Sequence, residues 1–311
     1  MQVREAMGEY LAAKKRLEPL TRLGYSQKLS VFCDWCEEHQ LELETIRARN
    51  VEDFLEHLKH SRTSRKTNRQ NISSYTLAGY IRVIKGFLNW CILDGEYEEL
   101  VKSIVVRRMK LPRIEQTVIE TFSSEQIDAL FAACAKEETE HLQLRDRAIL
   151  ALLLDTGIRA AELCGLTLDQ VQLDPKDSYI RVHGKRDKWR EVGLGDRTRR
   201  ELHKYIRVFR AETARNAPLF IGRYHQPLTV SGLDQIISRL AEWAHIEGVR
   251  CSPHTFRHTF ACNYLLQGGD IYALSRLMGH TSIRVTEVYL RAIKAREARQ
   301  TSKSVLDSMK G

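Results

Sequence analysis

The sequence predicts a mainly α-helical protein of two domains that contains one small antiparallel β-hairpin. Apolar residues recur at helical spacing through the first 105 positions, which contain no convincing strand pattern. The clearest strand-like alternation lies at residues 178–194. Between these regions, residues 102–113 form a basic segment with a proline, which predicts an extended interdomain linker.

Length, composition and charge indicate a globular protein with a polyanionic partner. The chain has 311 residues, 43% of them hydrophobic, which suffices for two packed cores. Its 49 lysines and arginines against 40 acids give a net charge of +9, which favours a polyanion. No apolar run approaches the roughly 18 residues of a membrane span, and the start has no signal-peptide pattern, so we expect a cytoplasmic protein without membrane contact.

The seven cysteines are scattered and odd in number, which argues against a disulfide framework. Cys33 and Cys36, followed by His39, have the spacing of a zinc site. They fall within a helical pattern, however, and no second close pair follows. We therefore interpret them as core cysteines in a reducing compartment.

Four amphipathic helices are predicted in residues 1–105, and together they form a small bundle. Asn50 is the predicted N-cap of the third helix. The apolar faces comprise Val3, Met7, Tyr10 and Leu11; Leu20, Leu23, Leu29, Phe32, Cys33 and Cys36; Val51, Phe54, Leu55 and Leu58; and Leu77, Tyr80, Ile81, Ile84, Phe87, Leu88 and Cys91.

Two basic segments of this first part are candidates for contact with phosphates. Residues 61–71 contain no acid and combine basic side chains with Ser, Thr and Asn, all of which donate hydrogen bonds to phosphate oxygens. The linker segment is basic as well, which suits a protein that encloses a duplex. The candidate contact residues are Arg62, Arg65, Lys66, Arg69, Arg107, Arg108 and Lys110.

The second part opens with a capping box, Ser123 and Gln126, which predicts a helix start. A strongly apolar helix over residues 144–155 is predicted to end at Gly157. Arg159 follows at the exit of this buried helix, where an arginine needs a partner other than solvent. Glu162, three residues further on, can orient Arg159 by a bidentate contact and leave other donors for a ligand.

The alternating residues 178–194 predict a β-hairpin with a basic tip at residues 184–188. A lysine at such a tip can reach into a groove and donate a proton. Lys185 and Lys188 are both placed for this role, and the sequence leaves the choice between them open.

Residues 253–289 concentrate four side chains that suit phosphate chemistry. Ser252 and Pro253 predict a helix start, and His254 and Arg257, three apart, then share one face. His280 and Tyr289 follow. Each of these residues alone is typical of ordinary structure. Together they can bind a phosphate, neutralise its developing charge and attack it.

Five segments stand in order along the chain: TGIRAAEL, GKRDKWREV, PHTFRHTFA, LMGH and VYLRA. In this order and at these separations the chain resembles the tyrosine recombinase (phage integrase) family, in particular the compact Xer-like and transposon-type members. The resemblance implies a two-domain DNA clamp. Its parts are a helical core-binding domain at residues 1–105, a basic linker at 106–120, a mostly helical catalytic domain at 121–292, and a tail at 293–311 that docks on a neighbouring subunit.

The resemblance also implies the role of each candidate residue. Arg159 and Arg257 would clamp the scissile phosphate, with Glu162 supporting the former. Tyr289 would be the nucleophile, and Lys185 the proton donor to the leaving 5′-oxygen. His254 and His280 would complete the pocket, and either of them can serve as the base.

The family's chemistry cuts and rejoins DNA through a 3′-phosphotyrosine intermediate and a Holliday junction, without a metal, ATP or other cofactor. The implied partners are double-stranded DNA with an inverted-repeat core site and further copies of the chain, as a tetramer with a dimer on each site. An accessory protein is a further implied partner. The implied location is the nucleoid. Integration, excision, dimer resolution and inversion all use the same residues, so the biological event stays open.

Three other functions fit parts of the sequence. A DNA-binding accessory protein of this fold needs the basic residues but no Tyr289. A type IB topoisomerase shares similar chemistry, although the compact helical first third favours a recombinase. A metal-dependent hydrolase would use His254 and His258 as ligands, but the segment HTFRH lacks the glutamate of HExxH and places an arginine between them.

Overall fold

The computed structural model describes residues 2–61, 72–93, 97, 103–112, 119–184 and 188–293. The chain divides into two compact units, Met1–Thr117 and Val118–Gly311. The fold is mainly helical with one small antiparallel sheet, which confirms the predicted fold class. Within the described ranges, no helix combines the length and the apolarity that a membrane crossing requires.

The first unit contains a bundle of four helices whose predicted apolar residues mostly meet in one core. Leu23 is an exception, because it is 53% exposed. The helices are α1 (Val3–Ala13), α2 (Pro19–Glu38), α3 (Ala48–Ser61) and α4 (Ser74–Leu93). Phe54 of α3 contacts Phe32 of α2 and Tyr80 of α4, with both ring pairs edge-on. Cys33 and Cys36 are fully buried in this core, as predicted.

The predicted start of α3 is wrong by one turn. Asn50 does not cap the helix but lies in its first turn, where its side-chain oxygen accepts a hydrogen bond from the backbone N–H of Arg47 at 2.8 Å. The apolar pattern begins only at Val51, so periodicity misses a polar first turn that the backbone nevertheless completes.

The predicted extended linker is also wrong in its first half, because residues 103–108 form helix α5 (Ser103–Arg108). Val105, Val106 and Met109 are buried in the core of the first unit. A proline restricts the residue directly before it, here Leu111, which lies beyond the helix end. The basic side chains of this segment, Arg107, Arg108 and Lys110, are exposed.

Several predicted positions lie outside the described residues. They are Arg62, Arg65, Lys66 and Arg69 of the basic loop, Lys185 of the hairpin tip, residues 113–118 of the linker and residues 294–311 of the tail.

Two helices of the second unit begin at the predicted caps, Ser123 and Ser252, whereas the helix predicted over residues 144–155 begins earlier, at Glu140. Side-chain oxygens of Ser123, Thr229 and Ser252 each accept a hydrogen bond from a backbone N–H in the first turn that follows. Residues 287–293 form a last described helical segment. The named helices are α6 (Ser124–Ala133), α7 (Glu140–Thr156), α8 (Ala160–Cys164), α9 (Asp196–Phe209), α10 (Val230–Trp243), α11 (Pro253–Leu266) and α12 (Ile271–Leu277).

The predicted hairpin is confirmed and belongs to a three-stranded antiparallel sheet in the order β1-β2-β3. The strands are β1 (Val171–Asp174), β2 (Asp177–Gly184) and β3 (Lys188–Gly193). Val182 pairs with Arg190 across β2 and β3, and Val182 is fully buried, so this pair lies on the inner face. Arg181 and Glu191, which pair next to them, are exposed on the outer face.

Helix α7 is the central helix of this unit and packs against α9 and α11. It ends at Gly157, whose φ of 57° is left-handed and whose N–H donates to the carbonyl of Leu153. A Cβ at position 157 would lie 2.3 Å from Cδ1 of Phe260 on α11. Glycine therefore permits both the turn and the close approach of α11 to the end of α7.

We expect Gly157→Ala to lower the free energy of unfolding by about 2–4 kcal/mol. The left-handed backbone contributes about 1 kcal/mol of this loss, and the clash with Phe260 contributes the remainder. Gly248→Ala is the matched control, because Gly248 has a φ of 74° but no atom within 4 Å of an added Cβ. Urea unfolding of both variants measures the difference, and equal losses would contradict the close approach.

Candidate active site

The ends of helices α7 and α12 bring the predicted residues together. Arg257 of α11 donates from Nη1 to the carbonyl of Gly157 at 2.6 Å and from Nη2 to the carbonyl of Met278 at 2.7 Å. Carbonyls at helix C-termini lack helical partners and carry partial negative charge, so they suit a guanidinium. Arg159 likewise donates from Nη2 to the carbonyl of Gly279 at 3.0 Å.

Arg257 is the more deeply placed of the two arginines, with 5% of its surface exposed. Burial, followed by repulsion from Arg159, lowers the pKa of Arg257 to about 10. At neutral pH the guanidinium of Arg257 is therefore charged. Arg159 and Arg257 repel each other, so an anion bound between them would stabilise the site.

Glu162 is the carboxylate that holds this cluster together, and it contacts a third arginine as well. It accepts from the backbone N–H of Arg159 at 2.8 Å and from Arg159 Nη1 at 2.9 Å. Arg190 of β3 binds the same carboxylate with both Nη atoms, at 3.0 and 2.8 Å. The prediction that Glu162 orients Arg159 agrees with this geometry, although the bidentate partner is Arg190.

Burial opposes ionisation of Glu162, but the hydrogen bonds from Arg190 and from the Arg159 backbone outweigh it and hold the pKa of Glu162 below its usual value. The side chain of Glu162 is only 7% exposed. One buried carboxylate thus faces two arginines directly, and a third, Arg257, lies close by.

Gly279 allows the two outer arginines to approach the turn after α12. Its φ is 63°, and an added Cβ would lie 3.1 Å from Arg190 Nη1 and 3.4 Å from Arg159 Nη1. Arg190 also donates from Nε to the carbonyl of Leu277 at 2.7 Å. The backbone of this turn is therefore packed directly on both guanidiniums, and His280 follows it at once.

His280 lies against Arg257, with its Nε2 2.9 Å from Arg257 Nη2. A guanidinium can only donate, so Nε2 is the acceptor and the ring proton sits on Nδ1, which lies 2.8 Å from Oγ1 of Thr286. Burial, then the charges of Arg257 and Arg159, lower the pKa of His280 to about 4. The ring is therefore neutral at pH 7.

Tyr289 lies in the same site with its hydroxyl directed at α11. Its side chain is 5% exposed, and the hydroxyl is 3.1 Å from Nδ1 of His258. Burial raises the pKa of Tyr289, and the neighbouring Arg257 opposes this effect. The phenol is therefore protonated at neutral pH.

His254 and Lys188 are the predicted residues that the structure leaves at the edge of this cluster. His254 is exposed in the first turn of α11. It lies close enough to His258 to lower the pKa of His258. Lys188, the alternative to Lys185, opens β3 and is exposed.

Two residues of the cluster, Arg190 and His258, were not assigned to it by the sequence analysis. Arg190 lies 28 positions from Glu162, and His258 lies 31 positions from Tyr289. Arg190 gave no local signal, because only the register of the sheet shows that it faces inward. For His258 the i, i+4 spacing to His254 pointed to a metal site instead. Within the part of the chain that is described, no group of three or more potential metal ligands occurs.

We expect Glu162→Gln to lower the free energy of unfolding by about 3 kcal/mol, because it removes the buried carboxylate that two partly buried arginines, Arg159 and Arg190, share. The control is Glu191→Gln on the outer face of the same sheet, where Glu191 is 62% exposed and 3.9 Å from Arg181. That exposed pair contributes at most about 1 kcal/mol. Urea unfolding compares the two variants, and similar losses would contradict the proposed weight of Glu162.

The same carboxylate predicts a specific loss of stability in acid. Because the pKa of Glu162 is lower in the folded state, its contribution is present above the unfolded value of about 4.3 and is lost as pH falls through the folded value. We expect wild-type stability to fall more steeply below about pH 4.3 than that of Glu162→Gln. Unfolding curves across this range give the two slopes, and parallel slopes would argue against the shift.

Comparison with known proteins identifies the family. Residues 120–296 match the model of the phage integrase family, and residues 7–90 match that of the phage integrase N-terminal SAM-like domain. Tyrosine recombinase XerD of Pseudomonas aeruginosa is 31% identical over 286 residues, covering 91% of this chain and 90% of the relative. Tyrosine recombinase XerC of Leptospira interrogans is 27% identical and covers 92% and 87%.

Solved structures agree on the fold. XerH site-specific recombinase bound to palindromic difH substrate, in a post-cleavage complex, aligns with a TM-score of 0.74 and 18% identity, covering 95% of this chain and 83% of that one. The Tn1549 transposon integrase in complex with a circular intermediate DNA aligns with a TM-score of 0.72 and 15% identity, covering 97% and 100%. The chain belongs to the phage integrase family and is an enzyme of the tyrosine recombinase type.

Proposed function

We propose that the protein is a site-specific recombinase that cuts and rejoins DNA through a 3′-phosphotyrosine intermediate and a Holliday junction. The single observation that carries this proposal is the cluster of Arg159, Arg257 and His280, with Tyr289 buried beside Arg257. Its proposed substrate is double-stranded DNA with an inverted-repeat core site, bound by a dimer on each site and a tetramer in all. The palindromic substrate of XerH supports the symmetry of this site.

The arginines supply the positive charge that phosphoryl transfer needs. In the transition state, charge spreads over the equatorial oxygens of the phosphate, and catalysis consists mainly of positioning and neutralising it. Arg159 and Arg257 provide planar forks of hydrogen-bond donors that match the geometry of phosphate oxygens. Because the arginines supply the positive charge, this arrangement supports cleavage without a metal ion. Rejoining needs no ATP, because the 3′-phosphotyrosine ester conserves the energy of the phosphodiester.

The two oxygens of the reaction need opposite proton transfers. Tyr289 must lose its proton to attack, and the leaving 5′-oxygen must gain one. We assign the second transfer to the hairpin tip, where Lys185 and Lys188 are the candidates. The negative charge of a bound phosphate offsets the arginine charges that lower the pKa of His280. Bound DNA therefore favours a protonated His280, which can donate a hydrogen bond to a phosphate oxygen.

We expect the wild-type protein to form an SDS-resistant covalent adduct in EDTA with a pool of nicked duplex oligonucleotides of varied sequence. The nick lets the strand beyond the cut diffuse away and traps the intermediate. Tyr289→Phe removes the nucleophile and should abolish the adduct while DNA binding persists. The measurement is denaturing gel electrophoresis, followed by sequencing of the captured DNA.

The matched control is Tyr272→Phe, an exposed tyrosine on α12 with 66% of its surface accessible, which should leave adduct formation unchanged. An adduct that persists in Tyr289→Phe would assign another nucleophile. Tight, salt-sensitive binding without any adduct would instead favour a DNA-binding accessory protein of the same fold.

A further inference from the structure

The hydroxyl of Tyr289 lies against a histidine that the motif-based assignment does not include. Nδ1 of His258 is 3.1 Å from the phenolic oxygen, within hydrogen-bond distance, and the two rings are tilted with centroids 5.5 Å apart. His258 directly follows Arg257 on α11. Arg257, which would bind the phosphate, and His258, which contacts Tyr289, are therefore neighbours on one helix.

The other two histidines of the region do not occupy this position. Both ring nitrogens of His280 are engaged, Nε2 with Arg257 and Nδ1 with Thr286. His254 is exposed, one turn earlier on α11. Of the three histidines, His258 is the one whose ring nitrogen contacts the hydroxyl of Tyr289.

The protonation state of His258 fits a proton acceptor. Burial, followed by repulsion from His254 and Arg257, lowers the pKa of His258, so the ring is neutral at pH 7. Among the described residues, the titratable groups that face the His258 ring are these two on α11 and Tyr289 on the last helical segment. With its proton on Nε2, the neutral ring presents Nδ1 as an acceptor for the phenolic hydrogen.

We propose that His258 is the general base of DNA cleavage, a catalytic residue that takes the proton of Tyr289; this inference rests on the proposed function. As the bond between the phenolic oxygen and phosphorus forms, the phenolic proton moves to Nδ1. The bond between phosphorus and the 5′-oxygen breaks, and that oxygen takes a proton from the hairpin lysine. In rejoining, a 5′-hydroxyl gives its proton to the lysine and attacks, and His258 returns its proton to the departing tyrosine.

The same contact can be interpreted in an opposite way, as a lock that keeps the hydroxyl away from DNA. The two functions predict rate changes of opposite sign. Removal of a general base slows adduct formation, whereas removal of a lock accelerates it. The sign of the change therefore decides between them.

The test uses single-turnover adduct formation on the nicked duplex that the wild-type protein captures from the oligonucleotide pool. We expect His258→Gln to slow the reaction by about 100-fold or more, the usual contribution of general base catalysis, with DNA affinity unchanged. It should also remove the loss of rate that the wild type shows in acid, where His258 becomes protonated. Thermal unfolding checks that the variant is folded.

Chemical rescue separates a chemical role from a structural one. His258 is only half-buried, so free imidazole can enter the space that His258→Ala creates. We expect imidazole to restore the adduct rate of His258→Ala in proportion to its neutral form and to leave the wild type unchanged. The matched control is His203→Gln, an exposed histidine on α9, which should react at the wild-type rate.

Each outcome has one meaning. A His258→Gln rate within about twofold of the wild type, or above it, overturns the assignment of the base while Tyr289 remains the nucleophile. A slow His258→Ala that imidazole does not rescue overturns it as well. A wild type that forms no adduct overturns the proposed function and this inference with it.

Discussion

The site depends on three neighbouring arginines, one buried and two partly buried, that the fold holds together against their mutual repulsion. Arg159, Arg190 and Arg257 crowd around the single carboxylate of Glu162. Backbone carbonyls at the ends of α7 and α12, including those of Gly157, Leu277 and Met278, stabilise the rest of the positive charge. Carbonyls at helix ends have no partner within the helix and therefore need hydrogen-bond donors, which the guanidiniums supply.

This excess of positive charge determines the state of the groups beside it. It helps keep His280 neutral and opposes the effect of burial on Tyr289. An anion placed among the arginines would reverse both influences, since it favours a charged imidazole and disfavours a phenolate. The site therefore suits an anion, and an anion bound there makes ionisation of the phenol harder. Under the proposed function, a base beside Tyr289 then has chemical value.

The sequence predicts the parts of this structure that local signals specify. Capping side chains mark the starts of α6 and α11, and alternation marks the hairpin, because each signal acts over a few residues. The motif order also predicts that Arg159, Arg257, His280 and Tyr289 converge. Strand β1 was not predicted, because its four residues acquire strand geometry by pairing with β2.

The remaining features require tertiary contacts. Helix α5 is stabilised by burial of Val105 and Val106 in the first unit, and the basic residues around them suggested a solvated linker instead. Arg190 resembles any charged residue near a hairpin tip until the sheet register places it opposite buried Val182. No periodicity distinguishes an arginine that anchors a carboxylate from one that faces solvent, as Arg181 does on the neighbouring strand.

The nucleophile candidate differs from the arginines in how it is anchored. Arg257 donates to the carbonyl of Gly157 at the end of α7. Arg159 donates to Glu162 and to the carbonyl of Gly279 after α12, next to the main core of the second unit. Tyr289 packs in a small separate cluster with residues of α11 and α12. Small clusters bury less apolar area, so they open at lower free energy than a main core. Tyr289 is therefore the less firmly anchored group, and the contact of its hydroxyl with His258 adds to an otherwise small set of contacts.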